Sequence, residues 1–221
     1  MKTIAVISQK GGAGKTTLAI NLAGAAEAEG LSTIIIDLDP QASAKIWARL
    51  RDKETPVVIC TVPKMLGEAI ATAREHGADV CIIDTAPHSE TAALEAAKAA
   101  DVVLIPCRTS MIDLQAVEST VAIVQLAKQP EAMFLINCVR PGDKTLPDEA
   151  TAALQKHGIP VCPLRLTLRS DCVHALSAGK SIIEFAPSSA AAEEIRQLFK
   201  LSFHQGEKVN IHQVIQEKAT A

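Results

Sequence analysis

The sequence predicts a doubly wound α/β fold, in which a mostly parallel sheet carries helices on both faces. Short runs rich in Val and Ile alternate along the chain with longer segments of helical periodicity. The short runs are apolar at nearly every position rather than at every second one. A strand has this continuous apolarity when helices cover both of its faces, as they do around a parallel sheet.

Seven short runs are predicted as strands. They are residues 3–8, 32–39, 57–60, 79–84, 101–106, 132–139 and 159–164. Helices are predicted near 15–29, 41–51, 64–76, 89–99, 110–127 and 147–157, with another over 188–204. We expect residues 1–205 to form a single domain. We expect the polar tail, 206–221, to fray or to form a short helix.

Composition predicts a soluble protein of the cytoplasm. Apolar residues make up 48% of the chain, and the net charge of −3 provides no overall attraction to nucleic acid or anionic lipid. The six cysteines show no C-x-x-C spacing and lie mostly in apolar runs, which is typical of buried free thiols in a reducing compartment. No run has membrane-spanning length, and the N-terminus lacks the pattern of a signal peptide.

The most informative stretch is "KGGAGKTT", residues 10–17. Its second half fits the end of the motif G-x-x-x-x-G-K-[ST], although Gln9 stands where that motif has its first glycine. The stretch follows a predicted strand and opens a predicted helix, so its backbone N–H groups and the helix N-terminus can bind phosphate. We therefore predict a nucleotide site in which Lys15 neutralises β- and γ-phosphates and the Thr16 hydroxyl binds Mg²⁺.

Three aspartates stand at the ends of predicted strands. Asp37 and Asp39 end "STIIIDLD", and Asp84 ends "DVCIID". Ligands of open α/β sheets bind at the carboxyl ends of strands, and an apolar strand ending in Asp is typical of a carboxylate that holds a water of the Mg²⁺ shell. Any one of them alone could be a helix cap or a turn residue. Beside a phosphate-binding loop, the three together favour a role in metal and water binding.

The motifs "KGGAGKTT", "DLDPQ" and "DTAP", in this order, resemble the ParA branch of the deviant Walker-A P-loop ATPases, the plasmid- and chromosome-partitioning proteins. The resemblance covers nearly the whole chain, and the pattern is similar to the small ParF-type members. It implies ATP and Mg²⁺ as cofactors. It also implies that Lys10 is the signature lysine, which crosses a face-to-face homodimer to the phosphates bound by the partner subunit. The alternative for Lys10 is a solvated loop lysine.

The resemblance also implies roles for individual residues. It places nucleotide contacts at Gly11, Gly12, Ala13, Gly14, Lys15, Thr16, Thr17 and Asn137. It assigns catalysis to Lys10, Lys15 and Asp39, with Asp39 positioning or activating the attacking water. It assigns Mg²⁺ to Thr16, with Asp37 and Asp84 in the outer shell. Asn137 would read adenine, and the alternative is a strand-end amide satisfied by the backbone.

A second implied site is a DNA-binding surface in residues 164–185. Arg169 aligns with a basic residue that the family uses for non-specific DNA binding, and Arg165 and Lys180 are its neighbours. Residues 140–180 contain six basic and four acidic residues, so a solvated face is an open alternative. Dimerisation would double the patch. The chain has no tyrosine and one tryptophan, which disfavours stacking on single-stranded bases.

The implied function is an ATP-dependent DNA partition ATPase. The ATP-bound dimer would bind double-stranded DNA of the nucleoid non-specifically, and a ParB-like partner would stimulate hydrolysis and release. The chain begins at the nucleotide strand, without a helix-turn-helix extension, so operator binding is not expected.

Three alternatives remain. An orphan ParA-like ATPase would position a protein cargo, such as a carboxysome or a chemoreceptor cluster. A metabolic P-loop enzyme such as a small synthetase would need a substrate site, and none stands out. A MinD-like ATPase would need a basic amphipathic C-terminal helix, whereas 201–221 holds two lysines and two glutamates, so no membrane binding is expected.

Overall fold

The computed structural model describes residues 1–127 and 131–204, and within them seven strands form one parallel sheet. The strands are β1 (Lys2–Val6), β2 (Thr33–Asp37), β3 (Val57–Cys60), β4 (Val80–Asp84), β5 (Val102–Cys107), β6 (Glu131–Val139) and β7 (Val161–Thr167). Their order across the sheet is β3-β2-β4-β1-β5-β6-β7, and every neighbouring pair is parallel. The predicted doubly wound sheet is confirmed.

The described residues contain ten α-helices. They are α1 (Lys15–Ala28), α2 (Ser43–Arg49), α3 (Leu66–Glu75), α4 (Glu90–Ala99), α5 (Met111–Gln115), α6 (Val117–Ala127), α7 (Thr145–Gln155), α8 (Ser170–Ser177), α9 (Ile182–Phe185) and α10 (Ala190–Phe203). Helices α1 to α7 connect successive strands, and α8 to α10 follow β7. A 3₁₀ turn over Pro63–Met65 precedes α3.

Two apolar layers lie on opposite faces of the sheet, because successive side chains of a strand point to opposite faces. In β1, Ile4 and Val6 belong to the layer that contains α1 and α10. Ala5, together with Ile7 just after the strand, belongs to the layer that contains α3, α4, α6 and α7. All four side chains are fully buried. The continuous apolarity of the strands therefore has the predicted cause.

The structure departs from the predicted elements mainly at β7 and after it. β7 runs over Val161–Thr167 instead of 159–164, because it is an edge strand whose second half alternates apolar and polar residues. Helices α8 and α9 were not predicted. The predicted helix 110–127 is interrupted at Ala116, and the predicted tail, 206–221, lies outside the described residues.

Candidate nucleotide-binding site

The loop between β1 and α1 has a backbone shape that requires glycine at two positions. Gly12 and Gly14 have φ values of 73° and 91°, in the left-handed region that side chains with a Cβ rarely adopt. A Cβ on Gly14 would also lie 2.5 Å from Nδ2 of Asn137. That same amide donates a hydrogen bond to the Ala13 carbonyl at 2.8 Å. The loop thus presents its backbone at the N-terminus of α1, as phosphate binding needs.

Lys15 is buried at the start of α1, with only 6% of its surface exposed. Its ammonium group donates to the backbone carbonyl of Lys10 at 3.2 Å. Burial lowers the pKa of Lys15, while the nearby carboxylates of Asp84 and Asp39 act in the opposite direction. A buried cation hydrogen-bonded to a neutral carbonyl is incompletely compensated, so an anion bound in the loop would stabilise it.

The sheet brings the three sequence motifs to one edge. In the register of the parallel strands, Asp84 at the end of β4 pairs with Val6 of β1 on one side and with Asp37 of β2 on the other. Both carboxylates are buried, with at most 1% of each residue exposed. The phosphate-binding loop follows directly after β1, so both carboxylates lie at the carboxyl edge from which this loop emerges.

Asp37 is satisfied by the protein itself. Its two oxygens accept hydrogen bonds from the backbone N–H groups of Asp39, at 3.0 Å, and of Ala44, at 3.1 Å. Burial raises the pKa of Asp37, and these N–H groups oppose the increase. The half-buried Asp39 in turn accepts from the N–H of Gln41 at 2.9 Å. Asp37 therefore holds the shape of the loop that carries Asp39.

Asp84 differs, because neither of its oxygens has a hydrogen-bond partner within the described residues. Burial raises the pKa of its carboxyl to about 7, although the nearby Thr16 hydroxyl favours the ionised form without reaching hydrogen-bond geometry. Buried polar groups are usually satisfied, so an orphaned carboxylate beside a phosphate-binding loop indicates a missing ligand. A water of the Mg²⁺ shell has the donors that this carboxylate lacks, and the residues therefore fit that metal.

No cluster of three or more His, Cys, Asp or Glu side chains in residues 1–127 and 131–204 could hold a metal alone. Mg²⁺ keeps several waters and binds mainly through one or two protein groups and the substrate phosphates. Thr16, at the first turn of α1, and Asp84 would supply these protein groups.

Gln9 is a site residue that sequence reasoning passed over. It is buried, and its N–H donates to the Thr120 hydroxyl of α6 at 3.1 Å. Its side-chain amide donates to the Ser89 carbonyl at 3.3 Å, and its own carbonyl accepts from the N–H of His88 at 3.2 Å. Gln9 thereby fixes the loop after β4 to the phosphate-binding loop. The sequence signal that could have identified Gln9 was its position, because it stands where the motif has its first glycine.

A cleft of about 320 Å³ opens beside the phosphate-binding loop. Gly14, Thr17 and Asn137 line it together with apolar side chains such as Leu166 and Ile195. Its size and its place beside the loop suit a base and sugar next to the phosphates. Another groove, of about 540 Å³ between β3 and α3, contains none of the predicted site residues.

The three cations predicted for DNA binding have different surroundings. Arg165 pairs with Asp148 at 2.6 Å, and Arg169 pairs with Glu194 of α10 at 3.1 Å. Arg169 also lines the cleft that holds Asn137, and its Nε is buried without a partner within the described residues. Lys180 is exposed. DNA contact by these three residues stays a prediction, as does the reach of the half-buried Lys10 to a second subunit.

The fold and this loop define a P-loop nucleotide-binding protein. A profile of the family described as "CobQ/CobB/MinD/ParA nucleotide binding domain" matches residues 4–182. This match covers most of the chain, which therefore belongs to that family. The resemblance to ParA is confirmed at the level of the ParA/MinD superfamily.

Curated relatives and solved structures agree with this assignment. The carboxysome distribution protein A of Gloeobacter kilaueensis is 30% identical over 197 residues, covering 87% of this chain and 89% of the relative. The chromosome-partitioning ATPase Soj of Thermus thermophilus is 26% identical, covering 90% and 94%. The septum site-determining protein MinD of Pyrococcus horikoshii, solved with Mg-ADP, has a TM-score of 0.75 at 17% identity, covering 95% and 99%, and shows the shared fold.

Proposed function

We propose that this chain is an ATP-dependent switch of the ParA type, which binds DNA and segregates a plasmid or chromosome. The observation that carries the proposal is the orphaned Asp84 carboxylate beside the buried Lys15, at a loop shaped for phosphate. The similarity to Soj, a chromosome-partitioning ATPase, supports the choice of DNA as the cargo.

The chain's own residues would divide the work of ATP hydrolysis. The loop N–H groups and Lys15 would hold the β- and γ-phosphates, and the cleft beside Asn137 would hold the nucleoside. Thr16 and Asp84 would hold Mg²⁺, which when bound neutralises charge that develops on the phosphates. Asp39, on the loop shaped by Asp37, would position the attacking water.

Dimerisation would connect nucleotide binding to DNA. Lys10 would contact the phosphates held by the partner subunit, so that only the ATP form closes face to face and hydrolysis opens it. The closed homodimer would place two copies of Arg165, Arg169 and Lys180 on nucleoid DNA, giving weak, salt-dependent binding. A ParB-like partner would accelerate hydrolysis and release the DNA.

Sedimentation analysis with ATP and with ADP tests this switch. The parent protein should dimerise with ATP but not with ADP. The Lys10→Ala variant should bind ATP but stay monomeric. The Asp39→Ala variant should form a dimer with ATP and should not hydrolyse it. A dimer of undiminished affinity in Lys10→Ala would refute the role of Lys10. Normal steady-state hydrolysis by Asp39→Ala would refute that of Asp39.

Positioning of a protein cargo is the second candidate function, and the 30% identical carboxysome distribution protein favours it. The same ATP switch would serve both functions, so the two are distinguished by what the protein that stimulates hydrolysis binds. If the product of an adjacent gene stimulates hydrolysis and binds a specific DNA site, the cargo is DNA. If the stimulating product instead binds a protein assembly, the cargo is that assembly.

Within residues 1–127 and 131–204, no helix combines the length and the apolarity that a transmembrane span requires.

A further inference from the structure

We propose that Arg108 binds the phosphate chain of the nucleotide held by its own subunit. The inference rests on the nucleotide site proposed above and adds a residue to it. Arg108 follows the last residue of β5, and β5 lies next to β1 in the sheet. Its side chain therefore starts from the edge at which the phosphate-binding loop leaves β1.

The Arg108 guanidinium reaches the phosphate-binding loop. Its Nη2 lies 3.9 Å from the position that a Cβ on Gly12 would occupy. Arg108 lines the nucleotide cleft together with Gly12, Gly14 and Thr17, and it also lines the small space beside Lys10. The guanidinium is thus close to the two glycines that shape the phosphate cradle.

Arg108 also has the free hydrogen-bonding capacity that a ligand requires. Within residues 1–127 and 131–204 its guanidinium makes no hydrogen bond or ion pair, whereas Arg51, Arg165 and Arg169 each pair with a carboxylate. Asp113 lines the same small space as Arg108, but its carboxylate accepts a hydrogen bond from the Ser110 hydroxyl and not from Arg108. An exposed guanidinium keeps five donors in a planar fork, which matches the oxygens of a phosphate.

The charge of the site supports a further cation. Three carboxylates, Asp37, Asp39 and Asp84, lie at this edge with two lysines, Lys10 and Lys15. A nucleotide triphosphate adds more negative charge, which a nearby guanidinium would offset through charge-assisted hydrogen bonds. Arg108 belongs to the same subunit as the loop it approaches, so its contact does not depend on dimerisation, in contrast to that proposed for Lys10.

Titration calorimetry with ATP and ADP tests this role. The variants are made both in the Lys10→Ala chain, which isolates contacts within one subunit, and in the chain that keeps Lys10. Arg108→Gln and Arg108→Ala should each raise the Kd for ATP about tenfold or more, because they remove charge-assisted hydrogen bonds to phosphate. Arg108→Lys should restore part of the affinity, since it keeps the charge without the fork.

Arg140→Ala is the matched control. Arg140 is exposed and lines a neighbouring cavity with Arg108, but it does not line the nucleotide cleft. It should change the Kd for ATP by less than about twofold, as expected for a distant surface charge. Unchanged thermal unfolding of the nucleotide-free variants would show that the exposed substitutions leave the fold intact.

Three results would overturn the proposal. The Kd for ATP could be the same with and without the Arg108 substitutions, or Arg140→Ala could weaken binding equally. The loss could also arise only when Lys10 is present, which would place the contact across the dimer. If the protein with Arg108 intact fails to bind ATP at all, the proposed function fails as well, and the two failures are thereby distinguished.

Discussion

The charged residues of the phosphate-binding loop and those of the segment from β7 to α10 differ in their hydrogen-bond and ion-pair partners. At the loop, Asp84 is fully buried without a hydrogen-bond partner among the described residues, and the buried Lys15 donates to a backbone carbonyl. In the β7–α10 segment, by contrast, Arg165 and Arg169 each pair with a carboxylate, although the Nε of Arg169 has no partner among the described residues. Arg169 pairs with Glu194, which also accepts from the N–H and hydroxyl of Thr167.

The difference separates charges that stabilise the folded chain from charges that need a ligand. A satisfied ion pair contributes to the fold, whereas a buried orphan lowers stability and is retained where function requires it. The loop therefore has the features of a binding site. The β7–α10 segment has the features of a structural clamp, and any role in DNA binding must depend on exposed cations or on release of the paired ones.

The largest expected effect is at the loop. Lys15→Ala should raise the Kd for ATP by about 100-fold or more, because it removes a buried cation from the phosphates. Calorimetry would measure the change. Lys180→Ala, which removes an exposed lysine outside the loop, should leave the Kd unchanged. Equal losses in the two variants would mean that the loop is not the phosphate site.

The next effect distinguishes the two buried aspartates. Asp84→Asn should reduce hydrolysis by about 100-fold, since it weakens the hold on Mg²⁺. In the nucleotide-free state it should raise the free energy of unfolding by about 1 kcal/mol, because an uncompensated buried carboxyl becomes a neutral amide. Asp37→Asn should instead lower that free energy by about 1–2 kcal/mol, since Asp37 accepts two backbone N–H groups. Urea unfolding measures both changes, and losses of equal size would contradict the distinction.

The third effect concerns the ion pair between Arg51 and Glu184 of α9. Burial of Glu184 disfavours its charged form, but hydrogen bonds from Arg51 and from the Ser181 N–H outweigh this and lower its pKa to about 2. In the unfolded chain the pKa of a glutamate is about 4.3. The charged pair therefore stabilises the fold above that pH, and this contribution to the free energy of unfolding is lost as the pH falls toward about 2. Glu184→Gln should lower the free energy of unfolding by about 1–2 kcal/mol at pH 7.

Unfolding measured from pH 7 down to about pH 2.5 would follow this dependence, and the difference between parent and variant should shrink steadily on acidification. A constant difference across that range would mean that Glu184 acts through packing. Glu193→Gln is a suitable comparison, because Glu193 is exposed on α10, where its carboxylate lies 3.7 Å from Arg196 and accepts a hydrogen bond from Gln197.

The smallest expected effect is on DNA binding. Lys180→Glu and Arg169→Glu should each weaken binding of the ATP form to any DNA sequence and reduce the slope of log K against log salt by about 1 per lost contact. Arg169→Glu should also lower stability, because it breaks the pair with Glu194. Filter binding at several salt concentrations would measure the slopes. If both variants bind DNA as the parent does, the DNA surface lies elsewhere.

Much of the fold and of the loop could be predicted because the necessary information is local. Strands buried on both faces must be apolar at every position, so the five inner strands lay close to their predicted places. The edge strand β3 was also predicted, from its run of four apolar residues. β7, α8 and α9 were misplaced or missed, since a half-exposed segment has a mixed pattern that many structures share. Gly12, Gly14 and Lys15 are neighbours in the chain, so their motif could be recognised directly.

The sequence by itself determined the parallel α/β sheet, the phosphate-binding loop and the strand-end positions of Asp37 and Asp84. Only the tertiary structure decided which of these carboxylates is satisfied, because a hydrogen bond from the Ala44 N–H depends on the path of the following loop. It also decided that Arg108 lies over Gly12 and that Arg169 faces Glu194. These contacts join residues from separate elements, and packing of the sheet and helices brings them together.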